Sequence, residues 1–358
     1  MAGEAQLVLV FGGSAALRNP DRLAEVAAAY PNAELIGCST SGEIRGTHVT
    51  DETIVVTAIH FEHTAIRTAH LVLGESPDSR GAGQDLAGRL VDDNLVHVLV
   101  FSDGLAVNGS ELTRGFVDKL PANVQVTGGL AGDGTDFAET LTISGRRVRP
   151  REVVAVGLYG ERLRVGCGSL GGWDPFGPER LITRSRDNVL FEFDGRSALE
   201  LYKQYLGEYA NDLPASALLF PLSIRSTVNE PSVVRTVLSI DEANGSMTFA
   251  GDLPEGSYAR LMKANFERLI DGANDAALTA FQTLGSPAPS LALLISCVGR
   301  KMVLRQRVEE EVESVRMVLG DATTLAGFYS YGEIAPCAPG DSCELHNQTM
   351  TITALMEI

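Results

Sequence analysis

The sequence predicts an α/β protein of two domains in which one βαββ unit is used three times. Its 358 residues, 44% of them hydrophobic, provide enough apolar material for the cores of two ordinary domains. A strand, a helix and two further strands recur in the same order over residues 7–59, 97–143 and 291–354. A stretch of α+β character separates the second unit from the third. Together these observations predict repeated βαββ units with an α+β insertion in the C-terminal half.

The first unit shows this order most clearly. The apolar run Leu7–Phe11 is typical of a buried strand. Asn19 and Pro20 supply an N-cap and a first-turn proline for the helix that follows. Further strands are predicted over 33–36 and 54–59, on either side of the glycine-rich segment Gly37–Ile44.

The second and third units repeat the pattern. In the second unit Ser110 is the predicted helix N-cap, and strands are predicted over 97–101, 124–127 and 139–143. In the third unit the helix is predicted over 306–319, and strands over 291–297, 323–326 and 349–354. The sequence G-x-x-x-x-G-E-I occurs at both Gly37 and Gly327, whereas Gly128–Gly134 keeps only the glycines. The repeat does not predict the order of strands in the sheets.

The stretch between the second and third units is predicted to contain the domain boundary. Gly171–Pro178 is rich in turn residues and divides the chain into an N-terminal domain, 1–172, and a C-terminal domain, 173–358. Beyond the boundary the pattern predicts a strand over 189–193, a helix over 198–206, a hairpin over 233–250 and a helix over 258–272.

Composition argues against several classes of partner. The formal net charge of −17 disfavours nucleic acid and anionic membrane surfaces, because both attract basic proteins. No apolar stretch approaches the ~20 residues that a membrane helix needs, and the first residues do not form a basic leader. Five cysteines, an odd number in a long chain, are typical of a reducing compartment. We therefore expect a cytoplasmic protein.

Seven segments taken together resemble one known family. They are 36–44 (IGCSTSGEI), 128–134 (GGLAGDG), 249–257 (FAGDLPEGS), 261–265 (LMKAN), 295–300 (ISCVGR), 327–334 (GFYSYGEI) and 346–349 (HNQT). In content and order they resemble the FIST family of sensory proteins, which have an amino-terminal and a carboxy-terminal module. The resemblance implies a stand-alone sensor, not an enzyme, that binds a small-molecule ligand such as an amino acid. It also implies a histidine kinase, a diguanylate cyclase or a cyclic-di-GMP phosphodiesterase as partner. Some stand-alone members are haem-binding nitric-oxide sensors.

The glycine-rich strand ends are the predicted ligand pocket. Ligands of α/β sheets bind at the carboxyl ends of strands, and glycines there let main-chain groups line a pocket. The predicted ligand-binding residues are Cys38, Ser39, Thr40, Glu43, Gly129, Asp133, Tyr329, Tyr331 and Glu333. Glu43 and Glu333 follow a glycine at equivalent positions and suit a ligand ammonium or acid–base chemistry. The alternatives are a purely structural turn and glutamates that cap neighbouring backbone.

His346 is the predicted axial ligand if haem binds. Cys337, Cys343 and His346 have a spacing that is a poor match to a zinc site, and C-x-x-C-H, the signature of covalent haem, is missing. A single neutral imidazole holds haem iron without any sequence signature. The alternative role for His346 is a hydrogen bond from a strand edge to the glycine turn.

Two other classes of function stay open. An enzyme would use Cys38 or Glu43, but the sequence lacks G-x-S-x-G and has no motif that ties a histidine to Cys38. An interaction module without a small ligand is the third class. Solid packing around Gly37 and Gly327, with no cavity between them, would favour that module.

Overall fold

The computed structural model describes residues 4–75, 77–227, 232–285, 288–336 and 340–358. The strands of its first half are β1 (Leu7–Gly12), β2 (Glu34–Ser39), β3 (Glu43–Arg45), β4 (His48–Thr50), β5 (Ile54–Ile59), β6 (Ala65–Val72), β7 (Leu95–Ser102), β8 (Gln125–Leu130), β9 (Thr142–Ser144), β10 (Arg147–Arg149), β11 (Glu152–Tyr159) and β12 (Leu163–Leu170). Those of its second half are β13 (Trp173–Arg186), β14 (Val189–Phe193), β15 (Arg196–Ser197), β16 (Leu222–Arg225), β17 (Val233–Arg235), β18 (Val237–Asp241), β19 (Ser246–Phe249), β20 (Tyr258–Ala264), β21 (Leu291–Cys297), β22 (Thr324–Ser330), β23 (Gly332–Pro336), β24 (Cys343–His346) and β25 (Met350–Glu357). The α-helices are α1 (Ser14–Leu17), α2 (Pro20–Ala29), α3 (Ser79–Leu90), α4 (Gly109–Lys119), α5 (Ala198–Leu206), α6 (Phe266–Leu284), α7 (Val298–Leu304) and α8 (Val308–Leu319).

Each of the three repeated units has the same central strands. In the first unit β1 runs parallel to β2 and antiparallel to β5. In the second, β7 lies in the same way between β8 and β11. In the third, β21 lies between β22 and β25. The α/β fold class is thus confirmed, and the helix that connects each parallel pair covers one face of its sheet.

The remaining strand of each unit leaves its own sheet and joins a neighbour's. Strand β9 of the second unit pairs with β2 of the first. Strand β23 of the third unit pairs with β8 of the second, and β3 of the first pairs with β22 of the third. The exchange is therefore cyclic, and the three sheets form a ring of pseudo-threefold symmetry. Local patterns do not encode this pairing, because each exchanged strand meets a partner far away in the sequence.

The inner faces of the three sheets share one apolar core. At its centre, the ring of Phe11 lies 5.3 Å from that of Phe101 and 4.7 Å from that of Phe328, between ring centroids. The Phe101 and Phe328 rings are 6.0 Å apart, and all three side chains are fully buried. Burial of large aromatic side chains is a major stabilising term, so this cluster fastens the ring of sheets together.

Three equivalent glycines permit this close packing. A Cβ atom added to Gly37, Gly128 or Gly327 would lie 1.8 to 1.9 Å from a carbonyl oxygen of the neighbouring parallel strand. No side chain fits at that distance, so the backbones approach only because glycine is present. The glycine therefore recurs in the three units because the close packing of the parallel strands requires it.

The insertion forms a fourth sheet with its own core. Strands β17, β16, β20, β13, β14, β19 and β18 lie in that order, and α5 packs on the sheet. One prediction for this region was wrong, that of the helix over 258–272. The turn-rich segment Gly171–Pro178 enters the long strand β13, whose pairing with β20 shifts register between Phe176 and Arg180 and so accommodates the glycine and prolines. The helix predicted over 258–272 begins only at Phe266, because the preceding residues pair with β13 and β16 as β20.

Smaller corrections have local causes. The cap of α4 is Asn108, whose Oδ1 accepts the Glu111 N–H, and not Ser110, which lies inside the first turn. The strand predicted over 139–143 is reduced to β9, because the preceding residues form a loop held by Asp133. Sequence patterns also missed β6, α3 and β11, and it is β11, not the strand predicted over 139–143, that closes the second unit as β5 and β25 close the others. Weak hydrophobic periodicity explains the omission of α3, since this helix contains three glycines.

Candidate functional site

The predicted pocket residues lie in packed interior and not around an opening. Cys38, Ser39, Thr40, Glu43, Gly129, Tyr329, Tyr331 and Glu333 are all buried, and only Asp133 is half-buried. Five cavities among the described residues have none of these nine in their linings. The strand ends of the three units nevertheless come together, as the repeat predicts.

The two equivalent glutamates make equivalent hydrogen bonds. The Glu333 carboxyl accepts from Ser330 Oγ at 2.5 Å, and from the Thr349 N–H at 3.2 Å and Oγ1 at 2.9 Å. Burial raises the pKa of Glu333 to about 8, against the hydrogen bonds, which lower it. The two bonds from Thr349 tie the glycine turn to the residue just before β25, and the bond from Ser330 lies within the turn. Glu333 therefore caps neighbouring backbone.

Glu43 repeats this arrangement in the first unit. Its carboxyl accepts from Thr40 Oγ1 at 2.5 Å, from the Thr53 N–H at 3.0 Å and from Thr53 Oγ1 at 2.6 Å. Burial again raises the pKa above its ordinary value. Both glutamates thus hold the turn closed, and neither faces a cavity in which acid–base chemistry would take place.

The second unit exchanges the two residue types. Thr142 occupies the position of Glu43, opposite Cys38, and Glu152 occupies the position of Thr53. The Glu152 side chain is fully buried, and its Oε1 lies 2.9 Å from Nδ1 of His70. Sequence comparison found only the loss of the Glu-Ile pair in this unit, because Thr142 is separated from its turn by an inserted loop.

Cys38 and Gly129 belong to the core. Cys38 lies among the aromatic side chains of the shared core, and burial raises the pKa of its thiol well above the ordinary range. A thiol of that kind is inert, because the thiolate is the nucleophile. At Gly129 an added Cβ would lie 2.8 Å from the Ile295 side chain. Neither residue is placed to touch a ligand.

The two tyrosines and Asp133 hold loops. The Tyr331 hydroxyl donates to Asp133, and its ring stacks on Phe137 with centroids 4.5 Å apart. The other Asp133 contacts are main-chain N–H groups of the inserted loop. Tyr329 donates to Glu311 at 2.6 Å, inside a buried group that includes the ion pair of Glu311 with Arg300.

His346, the predicted haem ligand, is enclosed by the fold. Its imidazole is 7% exposed, its Nε2 lies 3.0 Å from the Ala335 carbonyl oxygen, and burial lowers its pKa to about 4. Cys343 Sγ accepts from the Val126 N–H, whereas Cys337 lies outside the described residues. No group of three or more His, Cys, Asp or Glu in the described ranges is arranged to hold a metal ion.

A cleft of about 510 Å³ lies elsewhere, where α4 faces the insertion and the third unit. Its lining combines serine, threonine, arginine and acidic side chains with a few apolar ones, namely Ser110, Thr113, Arg114, Val117, Ile224, Arg225, Ser226, Val233, Arg235, Asp252, Pro254, Asp341, Ser342, Cys343, Glu344 and Leu345. The cleft therefore joins segments from three distant parts of the sequence and is richly polar.

Asp252 connects the two sides of this cleft. Its carboxylate accepts from Asn108 Nδ2 at 2.8 Å and from Arg114 at 2.6 Å, and its N–H donates to Ser110 Oγ. The preceding Gly251 leaves no room for a side chain, since an added Cβ would lie 2.6 Å from Ser110 Oγ. The start of α4 is thereby fixed to the insertion.

Arg225 has unused hydrogen-bonding capacity at the cleft. Its Nε and Nη2 donate to Glu179, both at 2.6 Å, and its guanidinium lies 5.1 Å from the Tyr258 ring centroid. Its Nη1 is buried and has no hydrogen-bond partner among the described residues. A buried donor without an acceptor is costly, so an acceptor supplied by a ligand would stabilise it.

Comparison with family models covers most of the chain. The FIST N domain matches residues 6–196 and the FIST C domain matches residues 198–336. The chain belongs to the FIST family. FIST domains are associated with sensing and signal transduction, so the recognition from seven segments is confirmed at the level of the family. The boundary at residues 172/173 stays a prediction.

Two relatives, each described as an uncharacterised protein, match most of this chain. A protein of Mycobacterium tuberculosis is 25% identical over 351 residues, which cover 94% of this chain and 86% of the relative. One of Methanocaldococcus jannaschii is 22% identical over 320 residues, covering 80% of this chain and 58% of the relative. Among solved structures, cyanuric acid hydrolase from A. caulinodans covers 82% of this chain and 99% of its own, at 9% identity and a TM-score of 0.20. A TM-score of 0.20 is too low to support any conclusion about the fold or function of this chain.

Sequence reasoning missed the cleft of this FIST protein. The segment 249–257, quoted for the resemblance, contains Asp252 and thus marks one wall. No sequence pattern pointed to Arg225, because a single arginine on a strand belongs to no motif with a characteristic spacing. In the described residues, no helix is both long and apolar enough to cross a membrane.

Proposed function

We propose that this FIST protein is a ligand-responsive sensor and that the cleft between α4 and the insertion holds its ligand. The observation that carries the proposal is the buried Nη1 of Arg225, a donor with no acceptor among the described residues, at the wall of a polar cavity. The cavity volume of about 510 Å³ is within the usual range for small-molecule sites.

The lining favours a small ligand with a carboxylate, such as an amino acid. A carboxylate matches the planar donors of arginine. Asp341 and Glu344 line the same cleft and bring negative charge suited to an ammonium group. A zwitterion satisfies both signs, whereas a purely cationic or purely anionic ligand satisfies one.

The ligand acts through the arrangement of the cleft walls. A ligand that bridges α4 and the insertion stabilises the arrangement in which both walls contact it, and so shifts its population. The signalling partner that responds to this population shift is a histidine kinase or an enzyme of cyclic-di-GMP synthesis or breakdown. This partner rests on the sensory role of the family.

Haem and catalysis receive no support from the described geometry. His346 uses its Nε2 in a main-chain contact, and Cys38 is enclosed in the core. The nitric-oxide form of the sensor therefore stands as an alternative that rests on the family resemblance alone. A Soret band in the ultraviolet–visible spectrum of protein from haem-supplemented cells would revive it.

The test is a thermal-shift screen of amino acids and small carboxylates, followed by calorimetric titration. A ligand at ~100 times its Kd stabilises the folded state by about 2.7 kcal/mol, enough to raise Tm measurably. Arg225→Gln should abolish the shift. Arg184→Gln is the matched control, because Arg184 also contacts a glutamate, Glu192 at 3.3 Å, and an aromatic ring, yet lies outside the cleft.

Two results would refute the proposal. One is a screen in which no carboxylate compound raises Tm. The other is a ligand whose affinity is unchanged in Arg225→Gln while that variant keeps its native circular dichroism. An equal loss in both arginine variants would also count against the cleft, because it would show a general effect of the substitution.

A further inference from the structure

The last strand of the first unit, β5, lies at an open sheet edge. It pairs with β1 alone. The equivalent strands of the other units are both covered, since β6 pairs with β11 and β12 pairs with β25. Helix α3 follows β6 directly and packs against α4, whereas α6 comes after the insertion, contacts β12 and packs against α8. No strand among the described residues covers the outer edge of β5.

The sequence of β5 lacks the usual protection of an edge strand. Ile54–Ile59 reads IVVTAI and contains no charged residue, histidine, proline or glycine. Natural proteins protect exposed edges with charges, prolines or bulges. The other terminal strands of the four sheets each carry a charged residue or a histidine: β4 His48, β6 Arg67, β10 Arg147, β12 Arg164, β17 Arg235, β18 Asp241 and β24 Glu344. Strand β5 is thus the one terminal strand of the described sheets built like an interior strand.

The register with β1 determines which groups of β5 point outward. The Gly13 N–H donates to the Thr53 carbonyl at 3.1 Å, and so odd-numbered residues of this strand exchange hydrogen bonds with β1. Ile54, Val56 and Ala58 therefore direct their N–H and C=O groups away from the sheet. They form a regular row of donors and acceptors.

We infer that this edge binds the same edge of a second copy of the chain. Antiparallel pairing about a twofold axis at Val56 sets Val56 opposite Val56 and Ile54 opposite Ala58. All three resulting pairs join outward-facing groups, giving up to about six hydrogen bonds. The side chains that meet on each face are aliphatic or threonine, so no charge is buried. This self-complementarity is what selects a second copy over an unrelated strand.

The groove beside this edge is lined by side chains of both charge signs. It lies between α2 and β5, has a volume of about 530 Å³, and is lined by Arg22, Glu25 and Val26 on the helix and by Glu52 and Val56 on the other side. In the proposed dimer each copy brings Arg22, Glu25 and Glu52 of its groove close to the paired edges. Repulsion arising from the net charge of −17 is therefore not concentrated there.

The test is the mass of the purified chain in solution, by light scattering after gel filtration and by sedimentation velocity over roughly 1–200 μM. The expected species has twice the chain mass of 38.1 kDa. Ala58→Pro removes one outward N–H without touching the bonds to β1, and should raise the dimer Kd at least tenfold, as about 1.4 kcal/mol of lost hydrogen bonding predicts. Val56→Lys should act in the same direction. Val72→Lys, on the exposed end of β6, is the control and should leave the dimer intact.

Hydrogen exchange supplies a second measurement that needs no variant. The amides of Val56 and Ala58 should become slower to exchange as concentration rises, whereas Thr57 should not change. A wild-type chain that stays at 38.1 kDa throughout the range overturns the inference and leaves the edge to a strand from another protein. A dimer that persists in both folded β5 variants overturns it as well.

Discussion

Replacement of Glu333 by glutamine should change how stability depends on pH. The Glu333 carboxyl is fully buried, and its pKa rises from 4.5 to about 8 on folding. Between these values the folded state binds a proton that the unfolded state has lost, so the contribution of Glu333 to stability is complete at and below pH 4.5 and is lost as the pH rises to 8. Each pH unit in this window is worth about 1.4 kcal/mol, which sets an upper limit of about 4 to 5 kcal/mol. Glutamine is neutral throughout and keeps one oxygen acceptor for Thr349.

The assay is urea unfolding of both proteins at pH 5, 7 and 9. The free energy of unfolding of Glu333→Gln relative to wild type should increase from pH 5 to about pH 8 and then level off, because all other titrating groups cancel in the difference. Glu208→Gln, which alters an exposed carboxyl, is the control and should give a flat difference. A flat difference for Glu333→Gln would show that the carboxyl is ionised in the folded protein at neutral pH, and the reasoning from burial would fail.

Two further predictions concern packing and charge. Gly327→Ala should destabilise the protein by about 3 kcal/mol or more in urea unfolding, because the new Cβ meets the Leu294 carbonyl oxygen at 1.8 Å. The control Gly88→Ala has open space around it in α3 and should stabilise the protein by up to about 1 kcal/mol. Equal effects at the two sites would contradict the packing argument. Arg300→Met should cost about 3 to 5 kcal/mol, since it leaves the Glu311 carboxylate buried without its cation, and adding Glu311→Gln should recover part of that loss. Additive losses in the double variant would show that the pair is not coupled.

The sequence predicted elements whose signal is local. Apolar runs located β1, β7 and β21, and Asn19 with Pro20 located the start of α2, because periodicity and capping depend on neighbouring residues. The cyclic exchange of strands was not predictable, since a three-residue strand such as β3 carries no information about a partner almost 300 residues away.

The nine residues expected to bind a ligand stay a prediction, and the structure shows that several of them serve packing. Glycine-rich strand ends are typical of ligand sites, but here the same glycines serve close backbone packing, and Glu43 and Glu333 cap that packing. One sequence pattern thus fits two physical purposes, and only the three-dimensional surroundings distinguish them. The cleft escaped detection because its walls come from α4, the insertion and the segment around Cys343.

The exchanged strands also determine whether the two halves of this protein are separable. A fragment that ended near residue 196 would keep β8 but lose β23, and would keep β3 but lose β22. Each lost pairing would expose a main-chain strand edge. The fragment would also lack Phe328, which belongs to the C-terminal half, and so would lose one ring of the central aromatic cluster. The two named domains are therefore units of sequence and not units of assembly. They must be synthesised together, and a recombination event that transferred either half alone would deliver an incomplete ring.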